Sequence, residues 1–307
     1  MVLPKIDWGI CMKKKDPYEV IFLSFLYLSI ILFTLAVVYP FYQCVVLSFN
    51  DGRDAMSGGI YFWPRKLSFY NYTYVFSDKN IANAAIISVL RTVIGVVSAL
   101  LVTSIFSYAI SKKKLLFRKT YITLGLITMY FGGGLIPSYL LIRSLNLFDN
   151  FLVYILPNLF GMYNAVIFIT FFSQIPQSLE ESAKIDGAND LYIFFKIIFP
   201  ISTPVFATIA LFVGVGHWNS WFDTMLYTKS TNLNTLSHLL TKMINSQQFR
   251  ELTSKSRTTA ISSLASSMTS TSLMLATMVV TTVPIIVLYP FLQKHFVKGI
   301  MLGSLKG

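Results

Sequence analysis

The run Val20–Leu47 spans 28 residues without one Asp, Glu, Lys or Arg, and no other feature constrains this chain as strongly. A helix rises 1.5 Å per residue, so about 20 residues cross the roughly 30 Å hydrocarbon core of a bilayer. The run is too long for the apolar region of a signal peptide, and no small-residue cleavage site follows it. It reads as a permanent membrane helix, with a kink at Pro40. Five more runs of similar character follow, at about Ala84–Ile110, Tyr121–Ile142, Phe151–Phe172, Pro204–Tyr227 and Leu273–Leu292. Gly132, Gly133 and Gly134 soften the third, and Pro284 and Pro290 fall in the last. Proline is tolerated in such helices when neighbours satisfy the freed carbonyls. The predicted fold is an all-α integral membrane protein of six transmembrane helices.

Composition supports this reading. Apolar residues make up 54% of the 307 and charged residues 12%, about half of what a soluble domain uses to coat itself. Disorder, a nucleic-acid-binding domain and a secreted disulfide scaffold are excluded. Of the two cysteines, Cys11 precedes the first span and Cys44 sits near its far end, which speaks against a disulfide, and no metal-ligand spacing is present.

Six spans put both termini on one side. Lys5, Lys13, Lys14 and Lys15 precede the first span, Lys112, Lys113, Lys114, Arg118 and Lys119 fill the short second connection, and Lys294, Lys298 and Lys306 close the chain. All fall on one face, which the positive-inside rule places in the cytoplasm. The opposite loops, Ser48–Asn83 and Thr228–Ser272, also carry cations (Arg65, Lys66, Arg250, Lys255, Arg257), so density in the short loops decides. The expected layout is a cytoplasmic tail over 1–19, a six-helix domain over 20–292 and a cytoplasmic tail over 293–307. The net charge of +12 is then explained by orientation and anionic lipid headgroups, not by nucleic acid.

One stretch differs from the rest. Between the fourth and fifth spans the segment 174–204 holds Glu180, Glu181, Asp186 and Asp190, four of the thirteen acids. Ser178 to Glu181 has the spacing of a capping box. Asp186-Gly187 is a natural left-handed stop. A second amphipathic helix is expected over Asp190–Ile198, ended by Pro200. The product is a short helix-turn-helix on the membrane surface, its acidic and small-residue face turned to the cytoplasm. The residues Glu181-Ser-Ala183, three more, Gly187, nine more, then Ile197-x-Phe-Pro200 closely resemble the EAA loop of ABC importer permeases. Ser182 and Phe199 depart from that pattern but preserve size or apolarity. Outside the loop, His217–Tyr227 and the basic, glycine-punctuated ending are similar to the carbohydrate branch of that family.

The resemblance implies the type I ABC importer permease fold. It implies a second, different permease, two copies of a cytoplasmic ATPase that holds ATP and Mg, an extracytoplasmic solute-binding protein, and a saccharide cargo. It also implies that Glu180, Glu181, Ala183, Asp186, Gly187, Ala188, Ile197 and Pro200 couple this chain to the ATPase. The residues agree: no phosphate-binding G-x-x-x-x-G-K-[ST] loop is present, so energy must come from another chain. No catalytic residue, metal ligand or cofactor site is expected here. The competing reading is a membrane glycosyl- or lipid-transferase. It lacks support because the acids cluster in the loop, without histidines or a D-x-D pair.

For the cargo route, Trp218, Asn219, Trp221 and Asp223 form an aromatic and polar group near the outer end of the fifth span. An unbroken helix would place Trp218 and Trp221 on one face and Asn219 and Asp223 on an adjoining one. That makes a single stripe facing the pathway, or else an interfacial aromatic belt. Arg91, inside the second span, must face a cavity or a partner, or snorkel to the interface. His238 and His295 have no ligand-spaced companions. The long polar loop 228–272 is expected to meet the binding protein. The basic outer loops admit an acidic saccharide, although lipid headgroups account for the same charges.

Overall fold

The computed structural model describes residues 17–254 and 269–304. Cys11, Lys5, Lys13, Lys14, Lys15, Lys255, Arg257 and Lys306 lie outside them. Helices α1 (Pro17–Ser48), α2 (Gly52–Met56), α3 (Tyr70–Ser77) and α4 (Lys79–Ser111) come first. Then come α5 (Arg118–Tyr130), α6 (Leu135–Ser144) and, after two 3-10 turns over Phe151–Asn158, α7 (Met162–Phe172). The surface segment is α8 (Gln177–Ile185), α9 (Asp190–Ile193), a π turn over Phe194–Ile198 and α10 (Phe199–Ile201). The chain closes with α11 (Thr203–Asn219), α12 (Phe222–Tyr227), α13 (Leu236–Ser254) and α14 (Ser270–Ser304).

Each predicted span is helical, but only α1, α4 and α14 are continuous. The third span bends by 111° between α5 and α6, at the three glycines. The fourth bends by 48° before α7. The segment Asp190–Ile201 meets α11 at 84°. The fifth span also breaks, because Ser220 turns to extended backbone between α11 and α12. Helix α4 is the central post. It packs along α7 and α11, while α14 packs on α1, α11 and α13.

Small and hydroxylic residues let α4 approach its neighbours closely. The Ser107 hydroxyl donates to the carbonyls of Thr103 (2.6 Å) and Ala165 (3.2 Å), tying α4 to α7. Such interhelical bonds average about 0.6 kcal/mol in membrane proteins. At Gly95 the absent side chain makes room for the His217 ring of α11.

Three apolar clusters organise the bundle. One surrounds Tyr108, Phe168, Phe172, Phe194 and Phe206 at the Ser111 end of α4. One surrounds Val75, Ile81, Ala84, Leu236 and Ala276 at the other end. The third joins Ile142, Leu147, Val153, Tyr154 and Ile155. Apolar side chains remain exposed on the outside of the bundle, as in α1, where an 18-residue window has no buried residue.

The loop 49–69 is ordered. Asn50 and Leu67 form an antiparallel bridge. Buried Asn50 and Asn71 satisfy its neck, Asn71 donating to the Ser48 and Asn50 carbonyls and Asn50 accepting from the Lys66 N–H. Likewise, residues 228–254 form no plain polar loop, because Leu236–Ser254 is helical.

Candidate functional site

Two features stand apart from structural packing: the hairpin 177–201 on one face and a polar cavity inside the bundle.

In the hairpin, α8 ends in a complete Schellman motif. Gly187 donates to the Lys184 carbonyl and Ala188 to the Ala183 carbonyl, at 3.1 and 2.9 Å. Gly187 sits at φ +83°, where an L side chain is strained. The Asn189 side chain then caps α9 by accepting from the Tyr192 N–H at 2.8 Å. Lys184 Nζ lies 2.8 Å from Asp190 Oδ1, strapping the turn. That bond holds the Asp190 carboxyl below the usual carboxylate range.

Ala183 is buried, and Ala188 and Ile197 pack on the same aromatic cluster. The small-residue face is therefore turned into the bundle, opposite to the sequence expectation. Glu181 and Asp186 point outward. So does Ile185, 86% exposed at the tip, an apolar side chain with nothing of its own chain to cover it.

Two further local expectations are corrected. No capping box forms: α8 begins two residues earlier, Pro176 takes the cap position, and no side chain accepts from the first turn. Glu180 instead forms an ion pair with Lys112, just beyond α4. Lys112 Nζ also lies 3.8 Å from the Tyr108 ring centre, and burial pushes its ammonium below the ordinary lysine value. Nor does Pro200 end the second helix. The turn widens to a π turn, with the Phe199 N–H reaching back to the Phe194 carbonyl. This accommodates a proline, which cannot donate and whose ring crowds the preceding turn. The chain then continues to Ile201 and breaks at Ser202.

The cavity, about 320 Å³, lies between α4, α11 and the turn preceding α7. Arg91, Thr103, Asn158, Asn164, His217 and Ser220 give it hydrogen-bonding walls. Arg91 and Thr103 are twelve residues apart on α4, so the cavity extends about 18 Å along the helix axis.

Arg91 is 1% exposed and does not snorkel. Its two terminal nitrogens meet Asp223 at 2.5 and 3.1 Å. It donates to the Ser220 carbonyl at 3.3 Å and stacks 4.4 Å over the Tyr154 ring. Asp223 also accepts from the Ser220 hydroxyl and the Thr224 N–H. The pair thus fastens the α11–α12 break to α4.

The break dissolves the expected stripe. Trp218 points away from the cavity, donating from Nε1 to the Thr281 carbonyl of α14 at 3.0 Å. Asn219 is exposed. Trp221 lines a separate cleft of about 470 Å³ with Met225, His238, Thr241, Lys242 and Asn245. Sequence reasoning paired none of Lys112, Tyr154, Ser220, Asn158 or Asn164 with these sites. The contacts of Lys112 with Glu180, of Tyr154 with Arg91 and of the Ser220 carbonyl with Arg91 each join residues more than sixty apart in sequence, and nothing in local spacing marks them.

The family model for the inner membrane component of binding-protein-dependent transport systems matches residues 85–302. The polygalacturonan/rhamnogalacturonan transport system permease protein YtcP of Bacillus subtilis is 37% identical, over 92% of this chain and 97% of YtcP. LplC of the same organism is 35% identical, over 87% and 89%. A chain in the crystal structure of a bacterial ABC transporter that imports the acidic polysaccharide alginate superposes with a TM-score of 0.83. It is 28% identical, over 92% of this chain and 98% of that one.

Proposed function

This chain belongs to the family of inner membrane components of binding-protein-dependent transport systems, and from that premise we propose that it forms half of the route of an ATP-driven importer for oligo- or polysaccharides. It is a transport subunit, not the transferase considered as the competing reading. The observation that carries the coupling role is the hairpin 177–201: rigid, closed by a Schellman motif, tied to α4 through Lys112–Glu180, and presenting Ile185 outward.

In this reading the hairpin seats in a cleft of a cytoplasmic ATPase, which holds ATP and Mg. Glu181, Asp186 and Ile185 make the contact, while Ala183, Ala188 and Ile197 transmit its movement into the bundle. Glu180 locks the hairpin onto α4, and Gly187 and Pro200 shape its two turns. A second permease completes the route, a second ATPase serves that permease, and a solute-binding protein delivers cargo from the other face. Both tails are cytoplasmic. The cargo passes the cavity of Arg91, Asn158, Asn164 and His217. Trp221 stands nearer the mouth, and Asp223 holds Arg91 in place. Trp218 and Asn219 serve the wall, not the lumen. Uronic-acid oligosaccharides are the preferred class, since YtcP is named for polygalacturonan and rhamnogalacturonan and the structural neighbour for alginate.

The test is ATP hydrolysis by the reconstituted transporter, stimulated by binding protein loaded with oligogalacturonate. Stimulation should exceed that with a neutral oligosaccharide of equal length. Gly187→Val should lower it at least tenfold. Beyond Gly187 and its two chain neighbours, nothing lies within 4 Å of a Cβ built there, so the loss comes from strained backbone, not from a clash. Gly187→Asn, which tolerates the left-handed region, should keep most of it. Normal stimulation in Gly187→Val would refute the coupling role.

Orientation has its own check. With Cys11 and Cys44 replaced, a cysteine at Asn232 should react with a membrane-impermeant thiol reagent on intact cells, and one at Lys113 should not. The reverse pattern would invert the topology.

A further inference from the structure

The sequence Tyr61-Phe62-Trp63 sits in the loop after α1, with all three rings exposed, Trp63 to 79%. Three consecutive bare aromatics on a water-facing loop are costly, so what they face must be found. The loop supplies the depth. Tyr42 Oη donates to the Phe62 carbonyl at 2.5 Å, and the Phe62 and Tyr39 rings meet edge to face at 6.1 Å. Tyr42 and Tyr39 lie six and nine residues before the end of α1, so the loop folds back about 9–14 Å along the helix. Twenty residues from Val20 end at Tyr39, so about 30 Å of helix places Tyr39 and Tyr42 at the boundary between acyl chains and headgroups.

The flap is held rigidly in that pose. Its neck is the Asn50–Leu67 bridge, and the Asp51 N–H donates to the Lys66 carbonyl at 2.9 Å. Arg65 braces the inside, with Nε 3.1 Å from Asp54 Oδ2 and Nη2 donating to the Gly58 carbonyl at 2.7 Å. Ile60 is buried, and the ring faces that follow it are turned out. The surface they extend is that of α1, which its own bundle leaves uncovered. Exposed Lys66 follows the aromatics.

We infer that residues 61–66 form an interfacial anchor. The three aromatic rings insert into the headgroup boundary of the leaflet at the C-terminal end of α1, with Lys66 at phosphate level. Tryptophan and tyrosine favour this depth because one edge stays wet while the ring is buried. Prebuilt hydrogen bonds at the neck mean that little loop entropy is lost on insertion.

The experiment is depth-resolved quenching of Trp63. The full-length chain, in its transporter, is reconstituted with Trp8, Trp218 and Trp221 changed to Phe. The vesicles contain phosphatidylcholine brominated at the 6,7 or the 11,12 acyl positions. Emission should be at least halved by the shallow bromines, less by the deep ones, and acrylamide should quench it several-fold less than free tryptophan. Trp218→Phe removes a structural hydrogen bond, so the same signal is read independently as the difference between the unmodified chain and Trp63→Phe. Full acrylamide access with no bromolipid effect would overturn the anchor. So would loss of bromolipid quenching on adding the binding protein, which would assign the flap to that partner.

Discussion

Replacing Asp223 with alanine should destabilise the bundle by about 3–5 kcal/mol, the cost of leaving a buried charge without its partner. The abandoned group is a guanidinium 1% exposed inside a membrane span, and only the Ser220 carbonyl and the Tyr154 ring remain beside it. Arg91→Ala should cost clearly less. The Asp223 carboxylate it strands is 17% exposed and keeps the Ser220 hydroxyl and the Thr224 N–H. Arg91→Met with Asp223→Leu should recover most of the lost stability, since an apolar pair of similar volume often equals a buried ion pair. It should not restore transport, because it removes the polar wall of the cavity and its hold on the α11–α12 break. Thermal unfolding midpoints in detergent, read beside uptake in cells, separate the two effects. Equal losses below 1 kcal/mol in both single variants would mean that the pair behaves as a solvated surface bridge.

Gly95→Val should be damaging by a different route. A Cβ at Gly95 would stand 2.4 Å from His217 Nε2 and within 3 Å of two ring carbons. Helices α4 and α11 must then separate or the ring must swing into the cavity. Overpacking of this kind costs about 1–3 kcal/mol, and the displaced ring closes the space between Arg91 and Thr103. His217→Ala in the Gly95→Val background should return stability towards the parent by vacating the volume. Gly214→Ala is the control on the same contact, because its Cβ would meet Val96 at an ordinary 3.4 Å. If Gly95→Val folds and transports like Gly214→Ala, the close approach of α4 and α11 is wrong.

What the sequence displayed was the property that lipid selects for. Each of the six spans is long and apolar, and each is helical in the structure. The surface hairpin was legible through Gly187, whose left-handed turn is found where the spacing placed it. Breaks inside spans were not legible in the same way. The three glycines at 132–134 announced one. Ser220-Trp221 announced nothing, because neither residue is a breaker, and the turn there exists because Asp223 is pulled onto Arg91 from 132 residues away. The same blindness explains the missing capping box. Ser178 and Glu181 have the right spacing, but Pro176 already occupies the start of the helix, and it is Glu180 that finds a long-range cation. Sequence leaves Trp218 open between the pathway and an interfacial belt, and nothing in its spacing shows that its indole donates to the Thr281 carbonyl of α14.

Helix α4 has 33 residues, a rod about 50 Å long. Lys112, one residue past its end, is pinned to the hairpin through Glu180. One-third of the way from the other end, Arg91 grips the joint between α11 and α12. The rod is thus a lever whose handle and jaw belong to different parts of the chain. A tilt of about 5° about one end would swing the other by about 4 Å, nearly the rise of one helical turn. In the coupling role proposed above, α4 would carry a push at the hairpin to the cavity wall as one rod.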